Sequence, residues 1–166
     1  MSTNPSRSPR NLLPVALCLT FLGLVAVSAD AVAAVPGAPP TAMPAPGTVR
    51  VWFYRTFFPE DTKDLPAISL NGSPVGYAGQ GISFYRDIAA GQYHITVDSY
   101  GKDFDQAQDV IFAPGAEYYV KILSSPSWVS GGGRHPFARG TYYVSLVSPQ
   151  IAARELPQTT YLTNGY

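Results

Sequence analysis

From Thr48 onward the sequence is a series of short β-prone runs separated by turn residues, and this pattern restricts the fold more than any other feature. The first run, Val49 to Phe58, is apolar and aromatic at consecutive positions, which is typical of a central strand covered on both sides. The dipeptide Asn71-Gly72 predicts a tight hairpin turn, because both residues accept a positive φ. The predicted strands are 49–58, 67–70, 75–77, 81–88, 92–100, 109–112, 117–123 and 141–147.

One helix is predicted near the end of this series, from Pro149 to Leu156, with Ser148 as its cap and Pro149 at its first helical position. Seven or eight short strands without a long helix are typical of a sandwich or a small barrel. We therefore predict an all-β fold, a small antiparallel β-sandwich of seven to eight strands with one short C-terminal helix.

The first 34 residues have the order of a secretory signal peptide. Arg7 and Arg10 precede an almost unbroken apolar segment from Leu12 to Val27, and alanines follow at 29, 31, 33 and 34. A signal peptidase reads this order, and cleavage is expected after Ala33 or Ala34. An uncleaved inner-membrane signal anchor is the alternative, since the apolar segment approaches the ~18 residues of a spanning helix.

Removal of this segment changes the cysteine content and the net charge of the mature protein. Cys18, the single cysteine, lies inside the apolar segment, so the mature domain lacks disulfides and thiolate metal sites. Cleavage after Ala34 also removes two of the 11 basic and one of the 11 acidic residues, leaving nine and ten. A net charge near −1 gives no reason to expect a nucleic acid or an anionic membrane as partner.

The domain organisation follows from these composition changes. Residues 35–47 are rich in Pro and Ala, which predicts a semi-rigid linker between signal and domain. Residues 48–156 form the predicted β-sandwich domain, and residues 157–166 form a C-terminal tail. The expected location is the periplasm or the exterior of the cell, with no stable membrane span after signal cleavage.

Several motifs in a fixed order resemble a family of bacterial envelope proteins. They are VWFYR at 51–55, LNGSPVG at 70–76, FY at 84–85, AGQYHI at 90–95 and APGAEYYV at 113–120. In this order they are similar to the domain of unknown function 2846 family, over Thr48 to Leu156. The resemblance implies an exported protein or lipoprotein with a small β-sandwich, and it transfers no catalytic residue. The chain departs from the pattern in lacking a lipobox and in its Gly-rich segment from Ser124 to Gly140.

The mature sequence offers few groups suited to catalysis. His94 and His135 are the mature chain's only bases suited to neutral pH, and His94 is expected to be an exposed cross-strand residue. Neither a nucleophile elbow nor a histidine pair with metal-ligand spacing is present. The acidic loop with Asp103, Asp105 and Asp109 lacks a turn for calcium and is expected to be solvated. We therefore predict a non-enzymatic protein without a cofactor.

The best candidate for binding is the Gly-rich segment from Ser124 to Gly140, expected to be a long loop beside the sheet. It carries Trp128, Arg134, His135 and Arg139, residue types that stack on sugars or bind carboxylates and phosphates. The alternative is an irregular connection that packs onto the sheet edge.

A second candidate is a set of tyrosines predicted on faces opposite the core: Tyr54, Tyr85, Tyr119 and Tyr143. Of these, Tyr85 and Tyr119 are the predicted binding residues, for carbohydrate or a protein partner. Coverage by a second sheet or by the helix from Pro149 is the alternative.

These features together predict an exported envelope protein that acts as a binding or structural module, with an envelope protein or a cell-wall polymer as its partner. Two alternatives stay open. The first is an accessory subunit of an envelope assembly, which binds through the tyrosine face or an edge strand. The second is a small hydrolase of cell-wall or polysaccharide material.

Overall fold

The computed structural model describes residues 42–100, 102–129, 137–163 and 165, with side chains left undescribed at 126–129 and 137–139. The strands are β1 (Thr48–Arg55), β2 (Ala67–Leu70), β3 (Ser73–Tyr77), β4 (Ile82–Ala89), β5 (Gly91–Val97), β6 (Gln108–Phe112), β7 (Glu117–Val129), β8 (Phe137–Val147) and β9 (Thr160–Tyr161). Helix α1 (Pro149–Glu155) runs into one 3₁₀ turn, Leu156–Gln158.

The strands form a five-stranded sheet, ordered β8-β7-β1-β4-β9, and a four-stranded sheet, ordered β3-β2-β5-β6. The predicted all-β fold with one short C-terminal helix is confirmed. β1 is the central strand of its sheet, and each of its residues after Thr48 is buried, as its sequence indicates. Two pairings, β1 with β7 and β4 with β9, are parallel, which the local pattern did not predict.

The hairpin between β2 and β3 forms at the predicted dipeptide. Asn71 has φ 50° and Gly72 has φ 79°, so two positive-φ residues close the turn between Leu70 and Ser73. The side chain of Asn71 also accepts a hydrogen bond of 2.8 Å from the backbone N–H of His94. The turn is therefore joined to the neighbouring strand β5.

The hydrophobic core lies between the two sheets. Val49, Val51 and Phe53 of β1 point into it, and Ile68 and Ile95 meet them from the other sheet. All five side chains are fully buried. Burial of a side chain of this size contributes roughly 1.5–3 kcal/mol.

The opposite face of the five-stranded sheet is called the outer face below, and α1 covers part of it. The Tyr54 hydroxyl donates to Glu155 Oε2 at 2.7 Å, and Lys121 Nζ lies 2.7 Å from Glu155 Oε1. Tyr54 is 1% exposed, so its predicted exposure is wrong; the alternative, coverage by the helix from Pro149, is what the contact with Glu155 shows. Helix α1 itself begins as predicted, with Ser148 as its cap and Pro149 in its first turn.

The segment predicted as a C-terminal tail is part of the fold. The Thr160 N–H donates to the Gly81 carbonyl and the Leu162 N–H donates to the Ser83 carbonyl, which places β9 at the edge of the five-stranded sheet. The Tyr77 N–H then donates to the Gly165 carbonyl at 2.9 Å. The described residues of the segment therefore bond to an edge of each sheet, and we call residues 159–163 and 165 the strap.

Residues 1–41 lie outside the described residues, so the export signal, its cleavage site and the signal anchor stay predictions. The described end of the Pro-rich linker is bonded to the domain. The Ala42 carbonyl accepts a hydrogen bond of 2.6 Å from Arg50, and the Gly47 carbonyl accepts one from the Ala90 N–H. Within the described ranges, no helix has both the length and the apolar composition that crossing a membrane requires.

Candidate binding cleft at one end of the sandwich

The segment from Ser124 to Gly140, predicted as a loop, is mainly a two-stranded arm. β7 continues to Val129 and β8 begins at Phe137, and the two strands pair in register from Ser124↔Tyr142 to Val129↔Phe137. The prediction of a long loop, and its alternative of an irregular connection, are therefore wrong for the described part of this segment. Backbone pairing with β1 ends at Lys121, and beyond that residue the backbone of β7 pairs with β8 alone.

The predicted binding residues of this segment fall on the arm or outside the described residues. Trp128 pairs with Ala138, and Arg139 pairs with Ser127, but the side chains at these positions are not described. Arg134 and His135 lie outside the described residues. Their predicted role in binding stays a prediction.

An open cleft of about 540 Å³ lies at the base of the arm. Its residues come from four separate segments: the β1–β2 loop, the end of β3, the β5–β6 loop and β8. Those that determine its chemistry are Asp64, Tyr77, Asp98, Tyr100, Lys102 and Tyr142. Gly140, which follows Arg139 where the arm joins the sheet, also lines the cleft.

Tyr142 forms a buried and fixed part of the cleft. Its hydroxyl lies 2.5 Å from Thr62 Oγ1 and 3.3 Å from Asp64 Oδ2, and its residue is 2% exposed. Burial raises the pKa of the Tyr142 phenol above its ordinary value. A Cβ atom at Gly140 would overlap the Tyr142 ring, so glycine is required where the ring crosses the strand.

Arg55 organises the loop beneath Tyr142. Its guanidinium lies 2.6 Å from Asp61 Oδ2, and both side chains are 1% exposed. The same group donates to the carbonyls of Thr62, Asp64 and Ala78 at 3.0–3.1 Å. Because every bond ends on the β1–β2 loop or beside β3, Arg55 fixes the loop that carries Asp64. The sequence signal for this role is the arginine that directly follows the apolar residues 51–54.

Two neighbouring contacts complete this network. The Ser124 hydroxyl donates a short hydrogen bond to Asp61, and the Arg55 guanidinium lies 4.9 Å from the centre of the Tyr142 ring. Among the described residues, every buried side-chain nitrogen and oxygen has a hydrogen-bond partner. A satisfied polar network of this kind makes the floor of the cleft rigid.

The cleft walls are accessible, in contrast to its floor. Tyr100 is 63% exposed and Tyr77 is 41% exposed. Asp98 and Lys102 are also exposed. The β5–β6 loop that carries Tyr100 is joined to β8, since the Tyr142 N–H donates to Ser99 Oγ at 3.0 Å. The cleft therefore combines two accessible aromatic rings with charged groups on a fixed floor.

The predicted tyrosines Tyr85 and Tyr119 lie on the outer face, and neither lines the cleft. Both are half-buried. Tyr85 packs against Trp52 and Tyr161 with ring centres 5.3 and 5.9 Å apart. The Tyr119 hydroxyl donates to Glu117, and burial together with this bond raises its pKa to about 12. The Tyr85 ring packs within the domain and the Tyr119 hydroxyl has a partner in Glu117, and the predicted binding role of both residues stays a prediction.

The remaining polar residues that the sequence singled out have local partners. His94 is exposed as predicted, and its Nδ1 lies 2.8 Å from Asp109 Oδ1 across the β5–β6 pair. Asp103 accepts a hydrogen bond of 2.7 Å from the Tyr143 hydroxyl. Asp103 and Asp109 thus have different partners, and the described ranges contain no cluster of three potential metal ligands.

Comparisons with known proteins returned no match to a family model, a curated protein or a solved structure. The resemblance to the domain of unknown function 2846 family therefore stays a prediction.

Proposed function

We propose that this protein is an exported, non-enzymatic binding module of the cell envelope, and that its cleft binds a carbohydrate chain. The observation that carries the proposal is the pair of accessible tyrosines, Tyr77 and Tyr100, in an open cleft with a rigid floor. An export signal in the sequence is consistent with a ligand outside the cytoplasm.

The chemistry of the lining residues suits a sugar polymer. Tyrosine rings offer flat apolar surfaces on which sugar rings stack, and their hydroxyls add hydrogen-bonding capacity. Asp64 and Asp98 accept hydrogen bonds from sugar hydroxyls, and Lys102 donates them. An open cleft, unlike a closed pocket, admits an internal segment of a long chain.

The charged residues of the cleft indicate which charge the bound polysaccharide should carry. Two carboxylates and one ammonium group give this surface a net negative charge. Opposing charge at a binding surface disfavours like-charged partners. A neutral or amino-substituted glycan is therefore the expected ligand class, rather than a polyuronic or phosphorylated one.

Binding is tested with the purified exported protein on insoluble cell-wall polysaccharides, followed by calorimetry with soluble oligosaccharides. Tyr100→Ala is expected to weaken binding at least about tenfold, which corresponds to ~1.4 kcal/mol. Phe104→Ala is the matched control, because Phe104 is an 88% exposed aromatic residue that does not line the cleft. Equal affinity of the Tyr100 variant and the control would contradict the proposal.

Hydrolysis of a glycan is the second candidate function, because two carboxylates line one cleft. Incubation of the protein with the same polysaccharides distinguishes binding from hydrolysis. Release of new reducing ends by the wild type, abolished in Asp98→Asn, would establish a glycoside hydrolase. A bound polymer that keeps its length supports the binding module.

The alternative of an accessory subunit has one specific observation in its favour. Phe57, Phe58 and Leu123 are 65%, 51% and 42% exposed and line one shallow pocket beside β7. Exposed apolar groups that share a surface are typical of protein interfaces. Size-exclusion chromatography of native envelope extracts tests this alternative, since an accessory subunit elutes with a large complex.

A further inference from the structure

A second pocket, lined only by apolar surface, adjoins the cleft. Its volume is about 250 Å³, and its lining consists of Leu65, Tyr77, Gly79, Ile82, Leu162 and Gly165. Two of these residues, Leu65 and Tyr77, also line the cleft. Because the two cavities have these walls in common, a single ligand can lie in the polar cleft with one apolar group in the pocket.

The strap forms one side of this pocket, and its backbone is bonded to the domain there. The Leu162 N–H donates to the Ser83 carbonyl at 2.8 Å, and the Gly165 carbonyl accepts the Tyr77 N–H at 2.9 Å. These backbone groups thus have partners within the domain. The strap therefore contributes hydrocarbon to the lining, with Leu162 as its largest side chain.

Gly79 allows two aliphatic side chains to form another side of the pocket. A Cβ atom at Gly79 would lie 2.5 Å from Ile82 Cδ1 and 3.2 Å from Leu65 Cδ2. Only glycine therefore permits this close approach of the backbone. Leu65 is also 62% exposed, so part of its apolar surface is available for a ligand to cover.

We propose that the ligand of the cleft is an acylated glycan, whose sugar part contacts Tyr77 and Tyr100 and whose acyl chain enters the apolar pocket. This inference rests on the proposed carbohydrate site and narrows its ligand class.

The size and the lining of the pocket favour a hydrocarbon chain. An apolar cavity of about 150 Å³ holds benzene, so a pocket of 250 Å³ holds a chain of roughly six to eight carbons. A polar substituent would lose its hydration in this lining without gaining a hydrogen-bond partner.

Charge favours an acylated sugar over a free fatty acid. A fatty acid whose chain filled the pocket would place its carboxylate in the cleft, where Asp64 and Asp98 give a net negative charge in spite of Lys102. Like charges at a binding surface disfavour such a ligand. An acyl chain joined to a sugar by an ester or an amide brings no charge into the cleft.

A series of alkyl glycosides tests the pocket in the wild-type protein. Methyl, butyl, hexyl and octyl β-glucoside are titrated into the purified exported protein by calorimetry, each below its critical micelle concentration. Burial of each methylene is expected to raise the affinity roughly fourfold, so hexyl glucoside should bind at least about tenfold more tightly than butyl glucoside. Equal affinities of the butyl and hexyl compounds would overturn the proposal.

A variant of the strap locates the gain in affinity. Leu162→Asn places an amide in the pocket at nearly constant volume, and the ratio of hexyl to methyl glucoside affinity is expected to fall at least about fivefold. Leu146→Asn is the matched control, because Leu146 is a 38% exposed leucine that lines neither the pocket nor the cleft. The ratio is taken within one protein, so a partly unfolded sample does not change it. Equal ratios in the two variants would mean that the chain binds elsewhere.

Two further ligands separate this inference from the proposed function. Hexanol carries the chain without the sugar, and it should bind at least about tenfold more weakly than hexyl glucoside. Equal binding of both would overturn the joint occupation of cleft and pocket. If unmodified oligosaccharides bind but the alkyl chain adds nothing, the acyl pocket fails and the carbohydrate site stands. If the wild type binds neither oligosaccharides nor glucosides, the proposed function itself fails.

Discussion

Arg50 and Arg55 lie five residues apart on β1, and both are buried, but they occupy opposite faces of the five-stranded sheet. Arg55 faces the interior beneath the cleft, and its partner Asp61 has a side chain that is also 1% exposed. Arg50 faces outward and makes two bonds of 2.8 Å to Asp87, whose side chain is 35% exposed. One ion pair is fully removed from water, while the other keeps one partner in contact with it.

The other contacts of the two guanidinium groups also differ. Arg55 makes three further bonds to backbone carbonyls of neighbouring loops. Arg50 stacks 4.4 Å from the centre of the Tyr85 ring and reaches the Ala42 carbonyl of the linker. Loss of a partner from a desolvated pair leaves a buried uncompensated charge, whereas water replaces part of a half-exposed pair. Arg55 should therefore determine loop structure and the cleft, and Arg50 should contribute a smaller increment of stability.

The largest expected effect is that of Arg55→Met. This variant leaves the Asp61 carboxylate buried without a cation, and we expect the free energy of unfolding to fall by about 3–5 kcal/mol. Carbohydrate binding should be lost as well, because the loop that carries Asp64 is no longer fixed. Urea unfolding checks the first effect and calorimetry checks the second.

A double variant sharpens this test. Arg55→Met combined with Asp61→Asn removes both charges, so it should be less destabilised than the sum of the two single variants. Strict additivity would show that the two groups do not form a coupled pair.

The next effect in size is that of Arg50→Met, with an expected loss of about 1–2 kcal/mol, because Asp87 remains solvated. The loss should shrink at high salt, which screens the half-exposed pair more than the buried one. Urea unfolding of both methionine variants at low and high salt measures the contrast. A loss at Arg50 as large as that at Arg55 would mean that the solvent exposure of Asp87 does not weaken its ion pair.

The two arginines also show how far the sequence predicts the structure. The consecutive apolar residues of β1 predicted a central strand covered on both sides, because a strand of this composition is unstable next to water. The roles of Arg50 and Arg55 were not predicted, because their partners cannot be identified from a local pattern. Asp61, the partner of Arg55, lies in a loop without periodicity, and Asp87, the partner of Arg50, lies on another strand.

The candidate site was predicted less well than the fold. Residues from four separate segments form the cleft, and no local pattern brings them together. The Gly-rich composition after Val129 favoured a loop, but strand pairing extends β7 and β8 on both sides of it. The burial of Tyr54 depended on Glu155, a contact between residues 101 positions apart.

A smaller loss of stability is expected from Tyr142→Phe, which alters the buried network around Arg55. The variant loses the hydroxyl that joins Thr62 and Asp64, and we expect a stability loss of about 1 kcal/mol together with weaker carbohydrate binding. Tyr143→Phe is the matched control, because the Tyr143 hydroxyl bonds to the exposed Asp103. Unfolding and binding measurements on both variants should separate them, and equal effects would mean that burial of the hydroxyl is irrelevant.

The smallest effect concerns the contact between α1 and the outer face, where Glu155 is the titrating group. Burial raises the Glu155 pKa, but the hydrogen bonds from Lys121 and Tyr54 outweigh it, so the pKa lies below its ordinary value of 4.5. A carboxyl with a lowered pKa in the folded state stabilises above its unfolded pKa, and this contribution is lost as the pH falls through the folded pKa. The stability difference between wild type and Glu155→Gln should therefore be constant above about pH 5.5 and shrink below about pH 4.5. Urea unfolding across this range measures the difference, and parallel curves for the two proteins would mean that the Glu155 charge does not hold α1 on the outer face.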